Sequence, residues 1–323
     1  MRVLVTGAGG FVGSHLVDSQ LAQGHQVRAT DLHLAHLAPA AVQPNLEPVR
    51  GDLTDDALLP RLVEDVEVVY HLASAHLDVS QPDSYYHHVN VTATQNLLTA
   101  AHAAGIKCFV HCSTNGVLGE IQQIPANETA PCNPTNIYEQ TKLLGERAAL
   151  AFHKETGLPV VIARPAWVYG PRCPRTARLL RTIKKGRFVM FGPGRTLRHP
   201  IYISDAVRGL ELCAERGKPG EIYFLAGERA VSLNELTQTI AAVQGVRPPL
   251  LRLPLSLGLA AAYLFQALFS LLRRQPPISR RTLDFYLKDN AYDISKARRD
   301  LGFNPQIDLP TGLSETLRVA QNR

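Results

Sequence analysis

Tyr138 and Lys142 lie four residues apart in the run Ile137-Tyr138-Glu139-Gln140-Thr141-Lys142. On a helix that spacing puts the phenol and the ammonium on one face. A free phenol titrates near ~10, and bringing it to about 7 requires roughly 4 kcal/mol of preference for the phenolate. One cation at ~4 Å supplies about that much at an effective dielectric of ~20. The pair could therefore move a proton near neutrality, or it could be an ordinary exposed helical pair. The start of the chain decides between these.

Thr6-Gly7-Ala8-Gly9-Gly10-Phe11-Val12-Gly13 follows a valine-rich strand pattern and opens a helical one, the context that a dinucleotide fingerprint requires. Gly7 can turn tightly, Gly10 lets the backbone approach a pyrophosphate, and Gly13 lets helix and sheet pack closely. The helix N-terminus favours the negative charge. The spacing is Gly-x-x-Gly-x-x-Gly, because the commoner Gly-x-Gly-x-x-Gly fails at Val12. Asp31, at the end of a second strand pattern, can accept hydrogen bonds from ribose hydroxyls and repel a 2′-phosphate. No lysine or arginine occurs from Leu32 to Pro48, so NAD is expected rather than NADP.

The elements that must position these groups alternate. Strands are predicted at Arg2–Thr6, Gln26–Thr30, Glu47–Arg50, Val66–Leu72, Lys107–Cys112, Pro159–Ala163 and Ile222–Leu225. Helices are predicted at Gly13–Ala22, Asp56–Val63, Val91–Ala104 and Tyr138–Thr156. That order predicts an α/β, Rossmann-type doubly wound parallel sheet. After Ala163 the chain becomes rich in proline and glycine, which predicts a smaller C-terminal substrate-binding lobe. The expected division is a cofactor domain over 1–172 with a return segment at about 198–226, and a lobe made of 173–197 and 227–323.

The 323 residues are 45% hydrophobic, with a net charge of +6, enough for one large core or a core plus a lobe. Basic residues gather at Arg172 to Arg187, Arg273-Arg274 and Arg280-Arg281, pointing to phosphate-bearing ligands or an anionic surface before nucleic acid. No nucleic-acid motif is present. The five cysteines, Cys108, Cys112, Cys132, Cys173 and Cys213, include no Cys-x-x-Cys pair, which argues against a metal site or a disulfide framework. The opening runs into a strand without a signal-peptide pattern, so a cytoplasmic location is expected.

Taken together, the chain resembles the extended short-chain dehydrogenase/reductase family, also called the NAD-dependent epimerase/dehydratase family. The resemblance rests on Gly7, Gly10 and Gly13, Asp31, Gly51-Asp52-Leu53, His71-Leu72-Ala73-Ser74, Asn90-Val91, Ser113-Thr114, Tyr138 with Lys142, Arg164-Pro165 and Val168-Tyr169-Gly170-Pro171. It implies that Asp52 and Leu53 contact the adenine and that Leu72, Ala73 and Ser74 line the cofactor. Phe11, Val12, Asn90, Ser113, Pro165 and Val168 are further cofactor-side positions. Thr114 would hold the oxygen that changes between alcohol and ketone, with Ser113 as runner-up. Tyr138 would move its proton, and Lys142 would hold the nicotinamide ribose and favour the phenolate.

Within that family, three departures narrow the choice. The acidic pair that dehydratases carry after the threonine is here Asn115-Gly116. Trp167 replaces a polar asparagine, offering either an apolar substrate wall or a core residue. Arg198 stands where epimerases keep a diphosphate-binding arginine. The apolar stretch from Leu255 to Leu272 resembles an insertion of 3-beta-hydroxysteroid dehydrogenase-like members. It could be a core or dimer helix, a lid, or a surface resting on lipid. The leading expectation is an NAD-dependent dehydrogenase or reductase for a hydrophobic secondary alcohol or ketone, with Ser74, Thr114, Trp167 and Arg198 on the substrate side. The alternatives are a nucleotide-sugar 4-epimerase and a dinucleotide-binding redox sensor. A homodimer is expected through the alanine-rich outer faces of the helices at Val91–Ala104 and Tyr138–Thr156.

Overall fold

The computed structural model describes residues 1–37, 43–76, 81–271 and 280–321, with backbone alone at 266–271, 280–282 and 321. Arg273, Arg274 and the stretch 276–279 lie outside the described residues. The valine-rich runs form β1 (Arg2–Thr6), β2 (Gln26–Asp31), β3 (Leu46–Arg50), β4 (Val68–His71), β5 (Cys108–Cys112), β6 (Val160–Pro165) and an edge strand, Ile222–Leu225. These seven make one sheet in the order edge, β6, β5, β4, β1, β2, β3, and every pairing is parallel. The fold is thus the expected Rossmann-type α/β sheet. The strand order reverses between β1 and β4, which opens a crevice at the carboxyl ends of the strands.

Helices cover both faces: α1 (Phe11–Ala22), α2 (Leu59–Val63), α3 (Asp83–His87), α4 (Ala93–Ala103), α5 (Ile137–Thr156) and, beyond α6 (Pro174–Lys184), which packs away from the sheet, α7 (Ile203–Arg216). The helix expected at Val91–Ala104 is interrupted: a π-turn, His88–Thr92, joins α3 to α4. Its widened backbone turns Asn90 inward. Gly145 of α5 packs against this turn so closely that a Cβ there would lie 2.3 Å from the Asn90 carbonyl.

After α7 come α8 (Leu233–Val243), α9 (Leu255–Leu271), α10 (Arg280–Leu287), α11 (Ser295–Leu301) and α12 (Leu309–Gln321). Tyr169, Leu180, Ile183, Leu236, Ile240 and Leu313 form a core separate from the sheet. Tyr292, Ile294, Ala297, Leu301 and Phe303 instead pack into the sheet's own core, so the chain touches the sheet again near its end. Gly258 and Ala262 turn inward on α9, whereas Leu257, Tyr263 and Leu264 stand outward. Among the described residues, no helix is long and apolar enough to cross a membrane.

Candidate active site

The crevice above β1 and β4 is a cleft of about 640 Å³. Gly7 takes a φ of +68°, and a Cβ there would lie 2.7 Å from the Ala73 amide nitrogen. Gly13 meets the Gly7 carbonyl so closely that a Cβ would stand 2.1 Å from its oxygen. Gly10 is the N-cap of α1, and apart from the Gly7 oxygen at 3.1 Å a Cβ on it would meet nothing. Its open side faces the cleft, where the positive end of α1 favours a pyrophosphate.

Gly7, Gly10, Phe11, Val12 and Gly13 line the cleft at the end of β1, with Asp31 at the end of β2 and Asp52 and Leu53 after β3. Leu72, Ala73 and Ser74 follow β4, Ser113 and Thr114 follow β5, and Pro165 and Val168 lie at and beyond the end of β6. Asp31 accepts the amides of Gly9 (3.0 Å) and His33 (3.1 Å). A carboxylate has about four lone-pair directions, so room remains for the two ribose hydroxyls.

Asn90 is the exception. It is buried outside the cleft, accepting the Ala75 amide at 2.7 Å and donating to the Ala75 carbonyl and the Thr141 hydroxyl. It braces α5 against the loop after β4.

The phenol and ammonium come from α5. Asn136 caps this helix by accepting the Glu139 amide at 3.0 Å, and Glu139 accepts the Thr135 amide and hydroxyl in return. Tyr138 therefore sits in the first turn, where the helix dipole favours a phenolate. Lys142, one turn on, is only 3% exposed and donates to the Cys112 carbonyl at 2.7 Å. Burial lowers its pKa, opposed by Cys112 and Glu146. Glu146 pairs with Arg164 at 2.5 Å, both nearly inaccessible, which fixes α5 to β6.

Thr114 accepts the Gly116 amide at 3.1 Å as the cap of the short turn Asn115–Leu118. That occupies its acceptor side, so its own proton can be donated into the site. Ser113 is buried with its hydroxyl unpaired among the described residues.

A second pocket of about 430 Å³ opens from the cleft. The two share His76, Thr114, Tyr138, Pro165, Ala166 and Arg175, so Thr114 and Tyr138 stand at the junction. Trp167 lines the second pocket with Leu179, Phe285 and Tyr292, its ring edge-on to Phe285. Ser74 lines the cleft but not this pocket. Arg198 borders the pocket, yet its guanidinium donates to the carbonyls of Leu197 (2.8 Å), Lys288 (2.5 Å), Asp284 (3.1 Å) and Phe285. Burial brings its pKa down to about 10. It remains a cation, but one that caps the end of α10.

The family model for NAD-dependent epimerases and dehydratases matches residues 3–226. The chain belongs to that family. Its relatives include a 4-hydroxy-2-methyl-3-oxo-4-farnesyl-3,4-dihydroquinoline-1-oxide ketoreductase from Stigmatella aurantiaca, 30% identical over 99% of this chain and 96% of the relative. A 3 beta-hydroxysteroid dehydrogenase/Delta 5→4-isomerase from Mycobacterium tuberculosis (strain CDC 1551 / Oshkosh) is 31% identical over 98% of this chain and 89% of its own. Among solved structures, the dTDP-glucose 4,6-dehydratase DesIV from Streptomyces venezuelae, with NAD bound, aligns with a TM-score of 0.83 and 29% identity, covering 100% of this chain and 98% of that one.

As a member of this family the protein is an NAD-dependent enzyme, and the cleft fits NAD: a glycine cradle open at Gly10 and a carboxylate at the ribose end, with the neighbouring Arg50 guanidinium donating to the Leu32 carbonyl at 3.0 Å. Sequence reasoning missed Gly9. A Cβ there would lie 1.7 Å from the His33 carbonyl oxygen, so glycine is needed to bring the loop's amide to Asp31. It also missed His76, whose ring stands edge-on to Tyr138 at 4.6 Å. Phe285, Lys288 and Tyr292 escaped as pocket residues too, because they lie more than a hundred residues from Tyr138 and only the folded chain brings them to it.

Proposed function

We propose that the enzyme transfers hydride between NAD and a secondary alcohol or ketone on a hydrophobic substrate, in the manner of 3-beta-hydroxysteroid dehydrogenase-like members. The observation that carries this reading is the wall of Trp167, Leu179 and Phe285, which meets Thr114 and Tyr138 at the mouth of the cofactor cleft. The engagement of Arg198 with four carbonyls supports it, because that removes the expected diphosphate ligand. The ketoreductase and hydroxysteroid dehydrogenase relatives agree.

In the proposed chemistry Thr114 donates a hydrogen bond to the substrate oxygen and Tyr138 holds the proton. For oxidation, the Tyr138 phenolate removes the hydroxyl proton as the C–H bond breaks and the C=O bond forms. For reduction, the phenol returns that proton to the oxygen. NAD, when bound, accepts or supplies the hydride. Lys142 and the first turn of α5 stabilise the phenolate. Turnover with a panel of ring and chain 3-hydroxy and 3-keto compounds, followed by NADH absorbance, tests the reading, and no change across the panel would count against it.

Arg175, at the junction of both pockets, favours a second reading as a nucleotide-sugar 4-epimerase. That predicts NAD retained on the purified protein and UDP-hexose interconversion without added cofactor.

We also propose the assembly. The outer face of α5 exposes Gln140, Leu144, Arg147 and Ala151 and would pair with a second copy, so Leu144→Arg should convert a homodimer to a monomer in light scattering. A wild-type monomer would refute it. The lobe is taken as 173–197 and 227–323, with its end anchored on the sheet. In and beside the lobe, the stretches 172–204 and 236–283 carry fifteen Lys and Arg and no Asp or Glu, and Leu250, Leu257, Tyr263 and Leu264 are 82%, 55%, 60% and 69% exposed. A peripheral contact with anionic lipid follows. Leu257→Glu with Leu264→Glu should abolish sedimentation with phosphatidylserine vesicles; failure of the wild type to sediment would exclude the contact. We place the protein in the cytoplasm, where its five free thiols stay reduced.

A further inference from the structure

Asn115 begins the short turn after β5, directly behind Thr114. It lines the pocket that holds Trp167 and Phe285, and only 2% of it is exposed. Both ends of its carboxamide, Oδ1 and Nδ2, are buried without a hydrogen-bond partner among the described residues. More than nine in ten buried polar groups find a partner. A carboxamide with neither its acceptor nor its donors satisfied is therefore a strong exception, and it is found on the wall of the substrate pocket beside the residue that would hold the reacting oxygen.

We propose that Asn115 is a specificity-determining residue that binds a second oxygen on the substrate, carried on a carbon next to, or one removed from, the reacting carbon. This deepens the hydrophobic-alcohol reading and rests on it. The carboxamide presents one acceptor and an NH₂ donor, which together match a hydroxyl group, itself donor and acceptor. Thr114 and Asn115 are consecutive, with Cα atoms ~3.8 Å apart. We place the two oxygens they hold as near neighbours on the substrate skeleton, since both side chains belong to one pocket. The preferred substrate class is a hydroxy ketone or its diol, set in an otherwise apolar frame, in preference to an isolated ketone. Being neutral, Asn115 binds this second oxygen without protonating it, so the group is recognised and retained.

The chain has a single tryptophan, and it lines this pocket, so Trp167 fluorescence reports occupancy without turnover. The probes are benzoin and deoxybenzoin, which differ by one hydroxyl beside the ketone, titrated into the NAD-loaded enzyme. Benzoin should bind about 10-fold more tightly, the worth of one well-made buried hydrogen-bonded contact. In Asn115→Leu that ratio should fall to about 1. Asn115→Asp, nearly the same shape, should keep the fold and make the preference pH-dependent, because an ionised carboxylate loses the donor. Equal binding of the two probes, absence of benzoin binding, or a preference that survives Asn115→Leu would overturn the proposal. Hydride transfer is not needed for this readout. Failure of turnover with an intact binding preference would therefore count against the reaction assigned above and leave Asn115 in its role.

Discussion

The cofactor cleft and the substrate pocket share Thr114 and Tyr138 but are built by different means. The cleft is made of backbone: Gly7, Gly9, Gly10 and Gly13 matter for the side chains they lack, and each sits within a few residues of a strand end. The pocket is made of side chains drawn from the turn after β5, from α5, α6 and α10 and from the segments around Trp167 and Tyr292. A backbone cradle tolerates almost no change at its glycines. A side-chain wall can be altered residue by residue while the fold persists.

Several substitutions should break or sharpen that contrast. The largest effect is expected at Gly9→Ala, where the new Cβ would lie 1.7 Å from the His33 carbonyl. The loop must shift away from Asp31, and NAD affinity should drop by about 100-fold or more, measured by equilibrium dialysis; an unchanged affinity would mean that the loop is not the cradle. A smaller and different change is expected at Trp167→Asn. Loss of an aromatic wall removes ~1–3 kcal/mol of apolar contact, so KM for a hydrophobic substrate should rise about 10-fold while the Kd for NAD stays within about 2-fold. If both constants move together, the two sites are not separable as described.

The smallest effect concerns the histidines beneath the cleft. His71 accepts or donates to Thr6 and Thr94 at 2.9 Å each, and burial pushes its pKa down to about 3. His111, packed beside it, is lowered in the same direction and has neither ring nitrogen paired among the described residues. Both stay neutral in the folded protein, whereas in the unfolded chain histidine takes up a proton near ~6.5. Stability is then fully present above about pH 6.5 and is lost as pH falls toward about 3, at roughly 1 kcal/mol per pH unit per histidine. Denaturation between pH 7 and 5 should show this slope, and His111→Leu should reduce it; an unchanged slope in that variant would remove His111 from the account.

The same contrast explains what could be read from the sequence. All seven sheet strands were legible, because valine-rich runs bounded by turns are local signals. So was the cleft, whose residues follow strand ends in a fixed order. The packing of Asn90 against Gly145, fifty-five residues away, has no local pattern to carry it. Arg198 was noted for its place at a diphosphate-binding position, but its four carbonyl partners come from Leu197 itself and from residues 284–288, a helix end that only the folded chain brings to it. Asn115 was noted for the acid it replaces. Its unpaired carboxamide became visible only when the pocket wall around it was in place.

The central claim is that Tyr138 moves the proton at the carbinol carbon while the cleft binds NAD independently of it. The direct measurement is NAD binding and turnover of Tyr138→Phe, made side by side with the unaltered enzyme on a substrate that it converts. The account predicts a Kd for NAD within about 2-fold of the original and turnover lower by about 10²–10⁴-fold, the usual contribution of a positioned acid or base. Full turnover by that variant would contradict it.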